Sequence, residues 1–582
     1  MIISDLGENL YRKQGVYRDS LKIYGGITMH IKKQSIAIIC GILLFSFVTV
    51  VALAAQERPV LPSDMVIMND RNQNWVDDLT QFKNAILDNH PRFWDEQVVY
   101  IPVGFGEDEE AQYLAWNEHP QNIAIGLEFE EHMNELIATV PDLSDFDILV
   151  AMRQAVAIIR DGHFSFGNRE RVGFYEMPLQ FRWFGSASEG GFYLVKSDEL
   201  FASNLNERLI SVNGKDIEEV KDVFYEIMSV ENVYGLMYNM SFELTNLFAL
   251  HAANLVKNNY THFTLVDSDG NETTISLNHY DVIANHETVD LVDARNEGNL
   301  PLFLSTQMKN TFEIFDNGLL YIRLEMMAAI DVLLDQSLLE IDEDGYFAME
   351  YKGEVHLVHI DHIGAMETQP FEERIVVRPN DFDLEDYTHL EGDELQEKSR
   401  LTWVVNPLIV EAMENGEITS AIIDIRGNGG GDPAPFYSLI TFLAEHLEEG
   451  RLFSFFDQGS FSAAAMAPNY LEYFGAVSLG MPLSQNTIFH GFGGGVNEEI
   501  VPHHELRHSR LELAIPDALS HINEPWARID VMGIELESFI DTITALEFYT
   551  IRPDIQIPLR IEHWINNYDP LLSHVINVLL AE

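Results

Sequence analysis

Three short stretches carry residue types that could do chemistry together: Arg160-Asp-Gly-His163, Ile423-Asp-Ile-Arg-Gly-Asn-Gly-Gly-Gly431 and Gly459-Ser-Phe-Ser-Ala-Ala464. A serine hydroxyl attacks a carbonyl only when a base accepts its proton, and an imidazole near its ordinary pKa can take that proton and return it to a leaving group. Ser462 stands between a strand-like run, Leu452 to Phe456, and an alanine-rich run able to open a helix. The first N–H groups of such a helix would face a developing oxyanion. The competing reading of Ser462 is a helix N-cap, and Ser460 is its nearest rival as nucleophile. His163, directly after a helix, reads equally as a surface or packing residue. The glycine loop is not a Walker loop, because no Gly-Lys-Ser/Thr follows, and Asp432 stands where a dinucleotide fingerprint needs its third glycine. It is either a tight turn ahead of a helix or a place where a backbone N–H comes close to substrate.

A second chemistry is spelled by His504-Glu-Leu-Arg-His508, an HExxH pattern. On a helix its two histidines would share a face and bind zinc, with the glutamate as base. Pro502 just before it, the charge of Arg507 and the lack of a clear third ligand weigh against a zinc metallopeptidase. His356, His359 and His362 are spaced by three, which in a strand sends neighbours to opposite faces. Neither a metal nor another cofactor is expected.

The elements that must position these residues are legible in outline. Trp75, Leu79, Phe82 and Ile86 recur at helical spacing up to His90-Pro91. Ser144 can cap a second helix with Leu149, Met152, Val156 and Ile159 on one face, ended by Asp161-Gly162. That puts His163 at the edge of a helical layer. From about residue 175 to 285 the signals turn to β: Phe192 to Val195, Leu209 to Val212 with an Asn213-Gly214 turn, and a hairpin of His262 to Val266 and Thr273 to Leu277. A helical run from Glu218 to Met228 and two apolar helices at about 233 to 257 interrupt it. Leu320 to Leu324 opens a further β-rich region, residues 331 to 400 read as an acidic insertion, and Ser420 to Ile425 is a buried-type strand. A helix beginning at Pro433, with Asp432 as N-cap, follows the glycine loop.

In this order the three stretches resemble the C-terminal processing (tail-specific) peptidases, including the tricorn-core branch with a histidine base. Leu209-Ile-Ser-Val-Asn-Gly-Lys-Asp-Ile-Glu-Glu-Val220 looks like their PDZ-like domain, and Glu547-Phe-Tyr-Thr-Ile-Arg-Pro-Asp554 is similar to their closing Glu…Pro-Asp motif. The resemblance covers roughly residues 70 to 325 and 400 to 580. It implies a multidomain α/β protein: a helical N-terminal layer (65–172), a PDZ-like β domain with a helical insertion (173–300), and a mixed βαβ, ClpP/crotonase-like catalytic core (301–582) interrupted at about 331–400. It also implies acyl transfer on a peptide bond. Ser462 would be the nucleophile, His163 its base and Glu547 the group that steadies the histidine, with the Gly430 and Ala463 N–H groups as oxyanion donors. The better-known members use a lysine base placed after the nucleophile, but no Lys or Arg lies between Ser462 and Arg507, so the histidine branch remains. Two departures stand out. Gly162 occupies a place that holds serine in the tricorn core, and Met481 stands in Gly480-Met-Pro-Leu483 where many relatives have glutamate. They keep open a catalytically inactive relative that holds peptides by β-augmentation.

Composition narrows the setting. The chain has 582 residues, enough for two to four domains, and 46% of them are hydrophobic, as in globular proteins. A formal charge of −58 repels nucleic acid and anionic lipid, while the resemblance implies a polypeptide partner, including one held by its C-terminus. The single cysteine, Cys40, excludes an internal disulfide and lies in an apolar segment, so thiol chemistry is excluded too. From Met29, a basic stretch with His30, Lys32 and Lys33 precedes an uncharged run from Ile36 to Ala55 that ends in Ala52-Leu53-Ala54. This reads as a signal peptide over 29–55 behind a dispensable leader of 28 residues, with cleavage before Ala55 or Gln56. Uncleaved, residues 36–55 would anchor the chain in a membrane. Either way the body is expected outside the cytoplasm.

Overall fold

The helical periodicity at the start of the chain becomes three packed helices, α1 (Arg71–Asn89), α2 (Pro120–Thr139) and α3 (Asp145–Ile159). They bury Trp75, Leu79, Phe82 and Ile86 of α1 against Phe129 and Met133 of α2 and Leu149, Met152 and Val156 of α3. A capping box starts α3: the Asp147 N–H donates to Ser144 Oγ, and the Ser144 N–H donates to Asp147 Oδ2. Arg160 ends the helix in the left-handed region at φ 56°, its guanidinium over the Tyr225 ring, and this turn delivers Asp161-Gly162-His163 off the helix axis.

In this computed structural model the described residues are 70–93, 98–103, 110–115, 120–166, 176–279, 282, 291–295, 300–305, 310–327, 346–351, 354–359, 407–431, 434–486, 488–491, 503–516, 518–521 and 550–581. The chain divides into Met1–Pro59 and Val60–Glu582, and every described residue belongs to the second unit. The signal segment, Cys40, His362, Asp432, Pro433, Glu547 and most of the acidic insertion lie outside the described residues. Among the described residues no helix is long and apolar enough to cross a membrane.

The β-rich stretch forms a seven-stranded antiparallel sheet among the described residues. Its main strands are β1 (Leu179–Phe184), β2 (Gly191–Ser197) and β3 (Arg208–Val212), followed after α4 (Ile217–Tyr225) and α5 (Val233–Glu243) by β4 (Tyr260–Val266) and β5 (Glu272–Asn278). Each pairs with the next. The interrupting helices pack on this sheet rather than hanging off it: Val220, Phe224, Met237 and Met240 share a core with Phe181, Phe192, Phe263 and Leu265.

A second sheet runs in the order β6 (Thr311–Ile314), β7 (Leu319–Arg323), β8 (Ser420–Asp424), β9 (Leu452–Phe456), β10 (Val477–Gly480) and β11 (Ile555–Gln556). Strand β6 is antiparallel to β7 and the rest are parallel. Strands β7, β8 and β9 are buried along their whole length, as a parallel sheet covered on both faces requires. Helix α6 (Ala434–His446) links β8 to β9, and α7 (Ala463–Tyr473) links β9 to β10. The architecture is mixed α/β, as expected.

Two local segments are settled by packing rather than by their short-range pattern. Helix α7 runs from Ala463 to Tyr473 with Pro468 buried inside it. A proline there removes only one intrahelical donor, and core packing of the alanine face holds the rest. The HExxH segment is not helical: His503–Glu505 is a strand paired with Glu512–Ala514, and a turn follows. His504 and His508 therefore do not share a helix face, and the zinc arrangement is absent. His356 and His359 fall in the strand Glu354–His359, which pairs with Tyr346–Tyr351.

The carboxyl ends of the parallel strands are tied by one buried cation. Arg426 chelates Asp424 through Nε and Nη2 and reaches Asp569 through Nη1 (3.2 Å) and Nη2 (2.7 Å), while Tyr321 Oη donates to Asp424. Burial would raise the Asp424 carboxyl, but Arg426 and Arg323 outweigh it and hold it below its ordinary value. Replacing Arg426 by methionine leaves the buried Asp569 without its counter-charge and leaves Asp424 to Arg323 at 3.6 Å. Urea unfolding should show a loss of about 3–5 kcal/mol, and an unchanged midpoint would mean the clamp contributes nothing to stability.

Candidate functional site

Strand β9 ends at Phe456, and six residues later the chain enters α7 through Ser462. Ser462 holds φ 57° and ψ −126°, a sparsely populated conformation for an L-residue and the kind of strain that collects at functional turns. It sits at the N-cap position but makes no side-chain capping bond, so the capping reading does not account for it. Ser460 is otherwise employed. Fully buried, it donates from Oγ to the Ile425 carbonyl (2.7 Å) and accepts the Asp457 N–H (3.2 Å).

The glycine loop is stitched directly to this turn. The Asn428 carbonyl accepts the Phe461 N–H, its Nδ2 donates to the Leu324 carbonyl, and its Oδ1 accepts the Gly430 N–H at 2.8 Å. Gly430 has φ 106°, and a Cβ there would lie 2.6 Å from Ser462 Cβ and 3.1 Å from the Ala463 nitrogen. Only glycine fits. The structure thus brings Gly430, Ser462 and Ala463 together, but the Gly430 N–H is committed to Asn428. The Ala463 N–H, at the first helical position, has no carbonyl partner among the described residues.

His163 reaches the same place from the helical layer. Its ring packs at a tilt against Phe461, 4.4 Å between centroids. Between base and nucleophile stands a residue that sequence reasoning missed, Gln485. Its Oε1 accepts the Ser462 N–H, and its Nε2 is 3.3 Å from His163 Nδ1 and 3.2 Å from Glu231 Oε1. Since the Gln485 amide donates here, His163 Nδ1 accepts, and the neutral ring carries its proton on Nε2. Among the described residues no hydrogen bond joins Ser462 Oγ to His163; such bonds are often loose before substrate arrives. Burial holds His163 below the ordinary histidine value, the Asp161 charge opposing it, so the ring is neutral at pH 7.

Asp161 is the buried anion behind the histidine. Its Oδ1 accepts the His163 N–H (2.8 Å), and its Oδ2 is held by His90 Nε2 (2.8 Å) and His490 Nδ1 (3.1 Å). Burial alone would raise this carboxyl, but the bonds from His490 and His90 outweigh it and keep it well below the usual carboxylate range. Burial pushes His490 down to about 3. His90, Asp161 and His490 are close enough to hold a metal ion. The donor set does not fit one, because His90 Nδ1 accepts the Arg92 N–H (3.2 Å) and so leaves the proton on Nε2, where a metal needs a lone pair. The trio is a hydrogen-bonded mount for the Asp161-Gly162-His163 turn. Gly162 fits that mount as well: a Cβ there would meet the Phe461 ring at 2.9 Å, so a serine at this position would displace the ring that His163 packs on.

Glu231 completes the group. Its Oε2 accepts the Asn486 N–H (2.8 Å), and it also accepts from Gln485 and from the Gly162 N–H. Desolvation, reinforced by the Asp161 charge, raises its carboxyl from 4.5 to about 8. No signal beyond an isolated glutamate marks it in the sequence, because its neighbours come from residues 161–163 and 485–486. Glu547 lies outside the described residues.

No family model matches the sequence, and no curated protein does. Solved structures do. Mature CPAF complexed with lactacystin aligns with a TM-score of 0.48 at 10% identity, covering 88% of this chain and 99% of that one. The photosystem II D1 C-terminal processing protease aligns with a TM-score of 0.29 at 10% identity, covering 84% and 94%. A Bacteroides fragilis protein described as an S41 protease aligns with a TM-score of 0.28 at 8% identity, covering 86% and 95%. These likenesses are distant, and the chemistry rests on this chain's own residues.

The raised Glu231 carboxyl has a thermodynamic signature. The folded state keeps a proton that the unfolded chain releases near 4.5, so stability falls as pH rises from there to about 8. Glu231→Gln removes this term. Between pH 5 and 8 the unfolding midpoint of wild type should fall more steeply than that of the variant; equal slopes would mean Glu231 is ionised in the folded protein throughout.

Proposed function

We propose that the chain is a serine peptidase of the C-terminal processing type, in which Ser462 attacks a peptide carbonyl and His163 carries the proton. The observation that carries the reading is the Ser462 turn: a strained, uncapped serine at the junction of a parallel strand and a helix, with an open Ala463 N–H beside it. His163 Nδ1 is the acceptor nitrogen of the ring, so Gln485 gives up its long bond there when the Ser462 proton is transferred. That exchange costs about 1 kcal/mol, small against an acyl-transfer barrier. The His163 imidazolium formed is stabilised by the Asp161 anion below it and then protonates the leaving amine. The Ala463 N–H is the oxyanion donor supported here. Gly430 contributes the close approach of its α-carbon, and its N–H could join only by leaving Asn428.

The finer parts of the reading rest on the sequence resemblance. Glu547 is the proposed carboxylate partner of His163, with Asp161 and Glu231 as carboxyls that lie within reach among the described residues. The antiparallel sheet would act as a PDZ-like peptide-holding domain, and the segment 29–55 would export the chain.

A fluorophosphonate probe tests the centre directly. Wild type should be labelled, Ser462→Ala not at all, and His163→Ala slower by about a thousandfold, whereas Ser460→Ala should label normally. Folded wild type that resists the probe would point instead to a peptide-binding protein with a silent site. Because His163 is held below 6.5, the acid limb of the labelling rate should lie below pH 6.5; a midpoint at or above that value would exclude His163 as the base. Comparison of Glu547→Gln with Glu231→Gln then shows which carboxyl supports the histidine.

A further inference from the structure

Over the carboxyl ends of β7, β8, β9 and β10 lies a cavity of about 520 Å³, roofed by β1 and α5 of the other sheet. Crevices at this edge of a parallel sheet are where α/β folds bind ligands. The cavity approaches the nucleophile along the chain. Asp457 and Gln458 line it, and the Tyr238 ring comes within 3.0 Å of where a Cβ on Gly459 would stand, three residues before Ser462. Its wall is largely apolar, with the half-exposed Phe242 at 52% on its rim.

The polar part of that wall is incomplete. Gln180 and Arg182 lie on the face of β1 opposite Phe181, and they line the cavity with Tyr238 and Gln458. None of these four side chains makes a hydrogen bond or an ion pair within the described residues. Every other charge in the wall is occupied. Arg323 is paired with Glu325 (2.9 Å) and Arg426 with Asp424 and Asp569, while Asp457 Oδ1 accepts the Gly427 and Gly459 N–H groups. The Asp457 charge favours the Arg182 cation, yet the two form no ion pair. The Arg182 guanidinium is held over the Trp564 ring at 4.5 Å, which fixes its plane and leaves its donor edge available.

We propose that this cavity is a substrate subsite that selects a carboxylate on the bound polypeptide, with Arg182 as the selecting cation and Gln180, Tyr238 and Gln458 as its neutral hydrogen-bonding partners. The inference rests on the peptidase reading and adds a substrate preference to it. The carboxylate can come from an acidic side chain or from a chain terminus, and both present the same planar pair of oxygens to a guanidinium.

Peptide binding to the full-length Ser462→Ala protein separates these cases. Three peptides of one sequence are compared by fluorescence anisotropy: an amidated glutamine form, an amidated glutamate form, and a glutamine form with a free terminal carboxylate. At least one carboxylate form should bind about tenfold tighter or more than the neutral one, and which of them does so identifies the source. Arg182→Gln should abolish the difference by bringing the carboxylate forms down to the affinity of the neutral one, and Arg182→Lys should keep part of it. Equal affinity for all three peptides, or a preference that survives Arg182→Gln, overturns the proposal without needing any variant beyond a folded one. Hydrolysis of denatured casein by wild type is measured in parallel. Casein cleaved with no carboxylate preference removes the subsite and keeps the peptidase; an Arg182-dependent preference with no cleavage keeps the subsite and removes the peptidase.

Discussion

The bonds that Arg426 makes to Asp424 and Asp569 are the constraint from which the candidate site is built. One guanidinium fixes the end of β8, the start of the glycine loop and the N-cap residue of the helix Pro570–His574 in a single plane. The loop that leaves this clamp carries Asn428, which ties it to β7 on one side and to the Ser462 turn on the other. Gly430 can then press against Ser462 because both loops are referenced to the same buried charge. A buried ion pair adds little net stability over apolar packing. Its directional, bidentate geometry is what suits it to setting the spacing of two loops.

A second buried charge does for the histidine what Arg426 does for the serine. Asp161 holds the His163 backbone and is itself held by His90 and His490, which come from the end of α1 and from the strand Ile488–Gly491. The two halves meet at Gln485, which touches Ser462, His163 and Glu231 at once. The site is therefore an assembly of loops that two buried charges hold in place.

Much of this was legible because it is local. The α3 capping box, the Asn213-Gly214 turn, the hairpin around Asp267 and the strand–serine–helix unit all follow from residues a few positions apart. The parts that escaped reading are non-local. Gln485 and Glu231 have no motif around them, and their role depends on packing across more than 250 residues. HELRH shows how little a short match carries: the pattern is present, but the strand pairing of His503–Glu505 with Glu512–Ala514 outweighs helical spacing. The Gly162 departure also acquires a physical reason only in three dimensions, where Phe461 occupies the space a serine would need.

The backbone of Ser462 bears on how such a protein would drift over evolutionary time. An L-residue at φ 57° and ψ −126° carries a strain of about 1–3 kcal/mol, and glycine at the same position would relax it. Losing the hydroxyl is thus a route to a sturdier molecule, at the cost of whatever the side chain does at that turn.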